Sequence, residues 1–111
     1  MNILVIENNE QPYIKRIWND LDSLRKIIGE QDIEVEEYED ILLVYNPKGI
    51  KDNLPINRYM NGLAIRGTFI ITGNNLKEMD FMSLSNEQID KYMEMFDLER
   101  EEDLELWKKG K

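Results

Sequence analysis

The 111-residue chain contains no cysteine and no histidine. Without cysteine it can form no disulfide, no thiol nucleophile and no thiolate metal site. Without histidine it lacks the commonest general base near neutral pH and the usual zinc ligand. Any catalysis would depend on carboxylates, lysine, tyrosine or serine. The two absences therefore favour a binding protein over an enzyme, and they predict neither a cofactor nor a metal site.

Long hydrophobic runs are also absent. No apolar segment approaches the roughly 20 residues that a membrane-spanning helix needs. The apolar opening of the chain, residues 2–6, is short and is followed at once by an acidic residue, unlike a signal peptide. With 41% hydrophobic and 33% charged residues, the composition is that of a globular protein. We therefore expect a soluble, cytoplasmic protein that does not bind membranes.

Hydrophobic periodicity predicts an α+β fold: a small single domain with a mostly antiparallel sheet, one early helix and C-terminal helices. Residues 52–57 are expected to form a loop. Gly67, in the middle of the last predicted strand, indicates a bulge or a close backbone approach. Strands are predicted in five segments, residues 2–6, 12–18, 33–40, 41–49 and 63–73, the fourth of which ends in a turn at Asn46, Pro47 and Gly49.

Both main helices carry start or stop signals. Asn19 or Asp20 can cap the early helix, and Gly29 is typical of its end. Ser85 is the predicted N-cap of the late helix, where Gln88 can complete a capping box. A further short helix is predicted after it. We therefore divide the chain into an α+β domain, residues 1–96, and an acidic C-terminal helical tail, residues 97–111.

Positive charge is scarce, with 14 basic against 23 acidic residues and a net charge of −9. This balance argues against direct binding of duplex nucleic acid, which requires basic residues to displace counterions. Residues 41–77 nevertheless carry a net charge of +4, so the rest of the chain totals −13. The basic residues of this segment are Lys48, Lys51, Arg58, Arg66 and Lys77, opposed by Asp52 alone.

Within this basic segment, residues 46–73 have the donors expected of an anion-binding site. Arg58 and Arg66 each present a planar fork that suits phosphate or carboxylate. Asn57 and Asn61 add neutral donors, and Tyr59 adds a ring for stacking. These residues predict a site for a phosphate-bearing small molecule, although no glycine-rich phosphate loop is present. The alternative is that both arginines pair with the protein's own carboxylates and stabilise the fold.

Two acidic blocks, residues 30–40 and 97–105, permit another interpretation. Carboxylates spaced along a surface can imitate a phosphate backbone and block a protein that binds nucleic acid; otherwise they form an ordinary solvated face. Near the end of the chain, Trp107 is a candidate anchor for a partner or a contact in a homo-oligomer. The candidate partner-binding residues are Glu34, Glu36, Glu37, Glu101, Glu102 and Trp107.

A series of short motifs along the chain carries a resemblance to a known family. They are "PYIKRI" at 12–17, Ile28–Gly29, "NPKG" at 46–49, "LPINR" at 54–58, "GTFII" at 67–71 and "SLSNEQI" at 83–89. Together they resemble the uncharacterised phage and mobile-element family called domain of unknown function 3846. The likeness covers about residues 1–96; the acidic tail lies outside it, and "NPKG" departs from the family's usual turn.

The resemblance implies an origin in phage or mobile-element DNA, and it places the family's Asn-Arg pair on Asn57 and Arg58. It implies no enzymatic activity. We expect a small accessory protein of counter-defence that binds and sequesters an anionic, nucleotide-like ligand in the cytoplasm of the host cell. The alternative expectation is an acidic nucleic-acid mimic that inhibits a host nuclease or another defence protein.

Overall fold

The computed structural model describes residues 1–75, 77–78 and 80–98. The short helix predicted in the tail lies outside these residues. Among them the chain forms a six-stranded sheet, a separate two-stranded hairpin and two helices. In chain order the elements are β1 (Asn2–Ile6), β2 (Tyr13–Arg16), α1 (Leu21–Ile28), β3 (Glu34–Tyr38), β4 (Ile41–Tyr45), β5 (Ile56–Met60), β6 (Leu63–Arg66), β7 (Phe69–Asn75), β8 (Asp80–Met82) and α2 (Asn86–Met95).

The main sheet has the strand order β2-β1-β7-β4-β3, and β8 pairs with the second half of β7. Every pair of neighbouring strands is antiparallel. Strands β5 and β6 pair only with each other among the described strands and form the hairpin. The described residues therefore form a small α+β domain with an antiparallel sheet, as the sequence predicts. They contain one early helix and one late helix, and not the several C-terminal helices that were predicted.

Alternation along the central strands divides the core into two clusters, one on each face of the sheet. On the first face, side chains such as Leu4, Leu43 and Ile71 pack with residues of α2 and of the hairpin. On the second face, Ile3, Val5, Val44 and Ile70 pack against Leu24 of α1. The sheet is thus the middle layer of three, with α2 and the hairpin on the same side.

The helix signals in the sequence are confirmed. Asp20 caps α1, accepting a hydrogen bond from the backbone N–H of Ser23, and the helix ends at Gly29 with a φ of 80°. Ser85 and Gln88 form the complete capping box of α2. Gln88 also donates from Nε2 to a carboxylate oxygen of Asp40, 2.7 Å away. That bond ties the start of α2 to the turn between β3 and β4.

One strand prediction and one loop prediction are wrong in detail, and Gly67 explains the first. Residues 63–73 do not form one long strand, because the chain breaks between β6 and β7 and the two strands join different sheets. Gly67 has a φ of 74°, which side chains rarely adopt. A Cβ at this position would also lie 2.9 Å from Leu54 Cδ1. Close approach and backbone conformation together end the hairpin here.

The other correction concerns residues 52–57, which are not entirely loop, since β5 begins at Ile56. A short turn at Asn61 and Gly62, both with positive φ, connects β5 to β6. An Asn-Gly pair between two apolar segments is a strong hairpin signal.

No described helix is long and apolar enough to cross a membrane.

We predict an acid-dependent loss of stability through Asp40. Its hydrogen bond from Gln88 holds the pKa of this carboxyl below its ordinary value of 3.8. Because the pKa of Asp40 is lower in the folded state, its contribution to the free energy of unfolding is complete above the unfolded-state pKa. That contribution is lost as the pH falls through the folded-state pKa. Urea unfolding from about pH 5 to about pH 2 measures the effect, which Asp40→Asn should remove.

Exposed Asp90 on α2 provides the matched control, as Asp90→Asn removes a carboxylate that makes no hydrogen bond or ion pair to another described residue. An identical pH dependence in wild type and Asp40→Asn would contradict this assignment.

Candidate functional site

The hairpin is attached to the main sheet by the side chain of Asn57. The pairing of β5 with β6 shifts between Ile56 and Arg58, which leaves Asn57 as the extra residue of a bulge. Its side-chain amide donates to the backbone carbonyls of Ile6, at 2.8 Å, and of Gly67, at 2.9 Å. Asn57 therefore joins the end of β1 to both strands of the hairpin.

Arg58 extends the same attachment into the interior. Only 5% of the residue is exposed. Its Nε donates to the carbonyl of Phe96 at 3.0 Å, and its Nη2 donates to the carbonyl of Glu10 at 2.6 Å. Its Nη1 bonds both the carbonyl and the Oδ1 of Asn57, at 3.1 and 2.7 Å. The guanidinium thus connects the hairpin, the loop after β1 and the end of α2.

The contact with Phe96 also has an electrostatic reason. Phe96 is the C-cap of α2, whose last turn contains no basic residue. A helix C-terminus carries partial negative charge and is stabilised by a nearby cation. Arg58 supplies that cation from β5. A buried guanidinium bonded in this way stabilises the fold, and a ligand could reach it only by breaking these bonds.

An open cavity of about 500 Å³ lies between the hairpin and the strands β3 and β4. Its walls are mainly apolar and come from β4, β5 and β6. The turn after β4 closes one side, through Asn46, Pro47, Gly49 and Ile50. The apolar wall residues are Leu43, Met60, Leu63, Ala64 and Ile65.

Two tyrosines bring hydroxyl groups to this cavity. Tyr45 donates to Oε1 of Glu36 at 2.7 Å, and Tyr38 donates to Oδ1 of Asn61 at 3.1 Å. Burial, followed by the bond to Glu36, raises the pKa of the Tyr45 phenol. Tyr45 therefore stays neutral at physiological pH and acts as a hydrogen-bond donor. The contact between Tyr38 and Asn61 joins the hairpin turn to the edge of the main sheet.

Arg66 is the basic residue that lines the cavity. Its Nη1 donates to the carbonyl of Leu54 at 2.8 Å. Among the described residues no carboxylate lies within ion-pair distance of it, and its other nitrogens have no hydrogen-bond acceptor. Lys48 differs, because it pairs with Glu30 at 3.3 Å and with Asp32 at 4.0 Å. Arg66 thus retains donors that an anion in the cavity can use.

The structure separates the predicted ligand residues into two groups. Asn61 and Arg66 line the cavity. Asn57 and Arg58 instead bond to the backbone, and exposed Tyr59 is not part of the cavity lining. Sequence reasoning missed Tyr38 and Tyr45. The sequence could have indicated both tyrosines, because alternation along β3 and β4 places Glu36, Tyr38 and Tyr45 on one face of the sheet.

The candidate partner-binding residues are only partly described. Glu34, Glu36 and Glu37 are exposed on β3, an edge strand of the sheet, and none forms an ion pair with a described residue. Glu101, Glu102 and Trp107 lie outside the described residues. In the described part of the chain, no group of three or more acidic side chains is arranged to hold a metal ion.

We predict that Arg58→Ala destabilises the fold by at least about 2 kcal/mol, because each hydrogen bond from a charged donor contributes about 1.5–3 kcal/mol. Urea unfolding measures the change in the free energy of unfolding. Arg16→Ala is the matched control, since Arg16 is exposed on β2. Equal stability of the two variants would contradict the structural role of Arg58.

Comparison with known proteins places this architecture in a family. A family model described as domain of unknown function (DUF3846) matches residues 1–97. The match begins at β1 and ends just after α2, so it includes both sheets and the cavity. No curated protein and no solved structure matches the chain. The chain belongs to the family of domains of unknown function DUF3846.

Proposed function

We propose that this protein is a non-enzymatic binding protein that holds a small organic anion, of the nucleotide type, in the cavity between the hairpin and strands β3 and β4. The proposal rests on the position of Arg66. Its guanidinium lies at an apolar cavity and keeps donors that no described residue occupies.

The size and lining of the cavity support a ligand with a flat, largely apolar body. Small-molecule sites typically measure about 300–1,000 Å³ and combine apolar walls with a few oriented polar groups. This cavity, at about 500 Å³, falls within that range. Tyr38 and Tyr45 add aromatic surface on which a planar ring can stack. A nucleobase matches these walls.

Charge at the cavity limits the anionic part of the ligand. Arg66 is accompanied there by the carboxylate of Glu36, whereas strand alternation directs the side chain of Glu37 to the opposite face of β3. One arginine opposed by one carboxylate suits a single phosphate, which can bond Arg66 directly, better than a polyphosphate. The carboxylate of Glu36 can also accept a hydrogen bond from an N–H group of a base. We therefore favour a nucleotide with one phosphate, linear or cyclic.

The proposal assigns binding and no chemical step. In the cavity the closest approach to an acid–base pair is the bond between Tyr45 and Glu36. The raised pKa of Tyr45 makes its hydroxyl a poor proton donor to a reacting group near neutral pH. For the biological role we propose sequestration of a nucleotide signal as a phage or mobile-element counter-defence, in the cytoplasm of the host.

A thermal-shift screen against mononucleotides and cyclic nucleotides tests the binding proposal. A ligand present at 100 times its dissociation constant stabilises a protein by about 2.7 kcal/mol. We expect a clear rise in melting temperature with at least one nucleotide that has a single phosphate. No shift with any of them at millimolar concentration would overturn the nucleotide assignment.

We predict that Arg66→Ala weakens binding of the nucleotide identified in this way by roughly 10- to 100-fold, the equivalent of one lost charged hydrogen bond. Titration calorimetry measures the dissociation constant. Lys51→Ala is the matched control, because Lys51 is exposed in the nearby loop and is not part of the cavity lining. Equal affinity of the two variants would show that the ligand binds elsewhere.

The position of β3 supports the acidic-mimic alternative as a second candidate function. This edge strand exposes three glutamates that have no described ion-pair partner. Under this alternative, Glu34→Lys together with Glu37→Lys weakens binding to a host nuclease or defence protein, and added salt weakens it further. Arg66→Ala then leaves partner binding unchanged, which distinguishes the two functions.

A further inference from the structure

The carboxylate of Glu36 has acceptor capacity at the cavity that no described residue uses. Tyr45, which packs against the first core cluster, donates to its Oε1 at 2.7 Å and so restricts the rotation of the carboxylate. No described residue donates to Oε2 or forms an ion pair with Glu36. Each carboxylate oxygen has two lone pairs, so Oε1 can accept a second hydrogen bond. Glu36 therefore offers two neighbouring acceptors.

Asn61, in the hairpin turn, adds a donor on the same side of the sheet. Its Oδ1 accepts the hydroxyl of Tyr38 at 3.1 Å, while its Nδ2 has no acceptor among the described residues. Tyr38 follows Glu36 by two residues, so their side chains leave the same face of β3 roughly 7 Å apart. The donor of Asn61 and the acceptors of Glu36 thus border the same part of the cavity.

Guanine has the hydrogen-bonding groups that complement this lining. Along its Watson–Crick edge it carries one acceptor, O6, followed by two neighbouring donors, N1–H and N2–H. The two donors match the two acceptors of Glu36, and O6 matches the Nδ2 donor of Asn61.

The other common bases do not complement the carboxylate. Adenine and cytosine each place a ring nitrogen with a lone pair beside their amino group, and that lone pair would face a carboxylate oxygen. Uracil and thymine have a single N–H between two carbonyl oxygens, one of which would meet the same repulsion. An ionised carboxylate only accepts hydrogen bonds, so Glu36 discriminates against all four of these bases.

We propose that the cavity is specific for guanine, with N1–H and N2–H of the base bonded to Glu36, O6 bonded to Asn61 and a single phosphate bonded to Arg66. This inference rests on the nucleotide-binding function proposed above and names the base of the ligand. Tyr45 acts as a positioning residue, because its hydroxyl holds the carboxylate of Glu36.

Titration calorimetry with guanosine, inosine and adenosine 5′-monophosphates, and with their 3′,5′-cyclic forms, tests the base assignment. In the wild-type protein we expect the guanine nucleotide to bind roughly 10- to 100-fold more tightly than the adenine nucleotide, the discrimination typical of a bidentate contact. Inosine lacks the 2-amino group of guanine, so its nucleotide should bind with intermediate affinity.

Glu36→Gln tests the role of the carboxylate, since the amide keeps an oxygen for the Tyr45 hydroxyl and replaces one acceptor with a donor. We expect this variant to lose the preference for guanine over adenine. The ratio of the two affinities is the readout, because removal of a negative charge strengthens binding of every anionic nucleotide alike. Glu37→Gln is the matched control: it removes the same charge from the opposite face of β3 and should keep the preference.

The outcomes separate this inference from the function on which it rests. Failure of every nucleotide to bind would overturn both. Binding without a preference for guanine would overturn the base assignment and leave the nucleotide-binding function standing. The same holds if the preference persists in Glu36→Gln, or if both variants lose it equally.

Discussion

The arrangement of this domain depends on the hydrogen bonds by which Asn57 and Arg58 attach the hairpin to the rest of the molecule. A buried guanidinium is costly unless its donors are satisfied. Arg58 meets this requirement with backbone carbonyls from three parts of the chain, at Glu10, Asn57 and Phe96. Asn57 adds the carbonyls of Ile6 and Gly67. The pairing of β5 with β6 would not by itself attach the hairpin to the main sheet.

This attachment explains why a cavity exists at all. The hairpin is fixed at its open end by Asn57 and Arg58, while Asn61 in its turn contacts Tyr38 at the sheet edge. Between these two connections it covers part of β3 and β4 without forming strand pairs with them. The resulting space is apolar because it continues the first core cluster outward. Fixed walls lower the entropic cost of holding a ligand.

The sequence predicts the features that depend on local chemistry. The helix caps depend only on residues within one turn of each helix end, so they can be predicted without tertiary information. These residues are Asp20, Gly29, Ser85 and Gln88. The hairpin is also encoded locally, in Asn61–Gly62 and Gly67, but the apolar pattern of residues 63–73 predicts a continuous strand. The positive φ of Gly67 interrupts that strand, and hydrophobic alternation does not report it.

The candidate site was less predictable because its residues come together only in three dimensions. The excess of basic residues between 41 and 77 includes Arg66, which has no carboxylate partner among the described residues, yet the charge count could not show that Lys48 pairs with Glu30. Nor could it show that Arg58 is buried, since burial depends on where α2 ends. A charge count identifies a basic segment, but the role of each arginine in it depends on the three-dimensional fold.

Native-state hydrogen exchange on Asn57→Ala tests the central claim most directly. Removing the amide breaks the bonds to Ile6 and Gly67 without introducing a charge. If the hairpin is held by these bonds, backbone amides of β5 and β6 lose protection selectively, while those of β1, β4 and β7 exchange as in the wild type. Unchanged protection in the hairpin, or an equal loss throughout the sheet, would contradict the account.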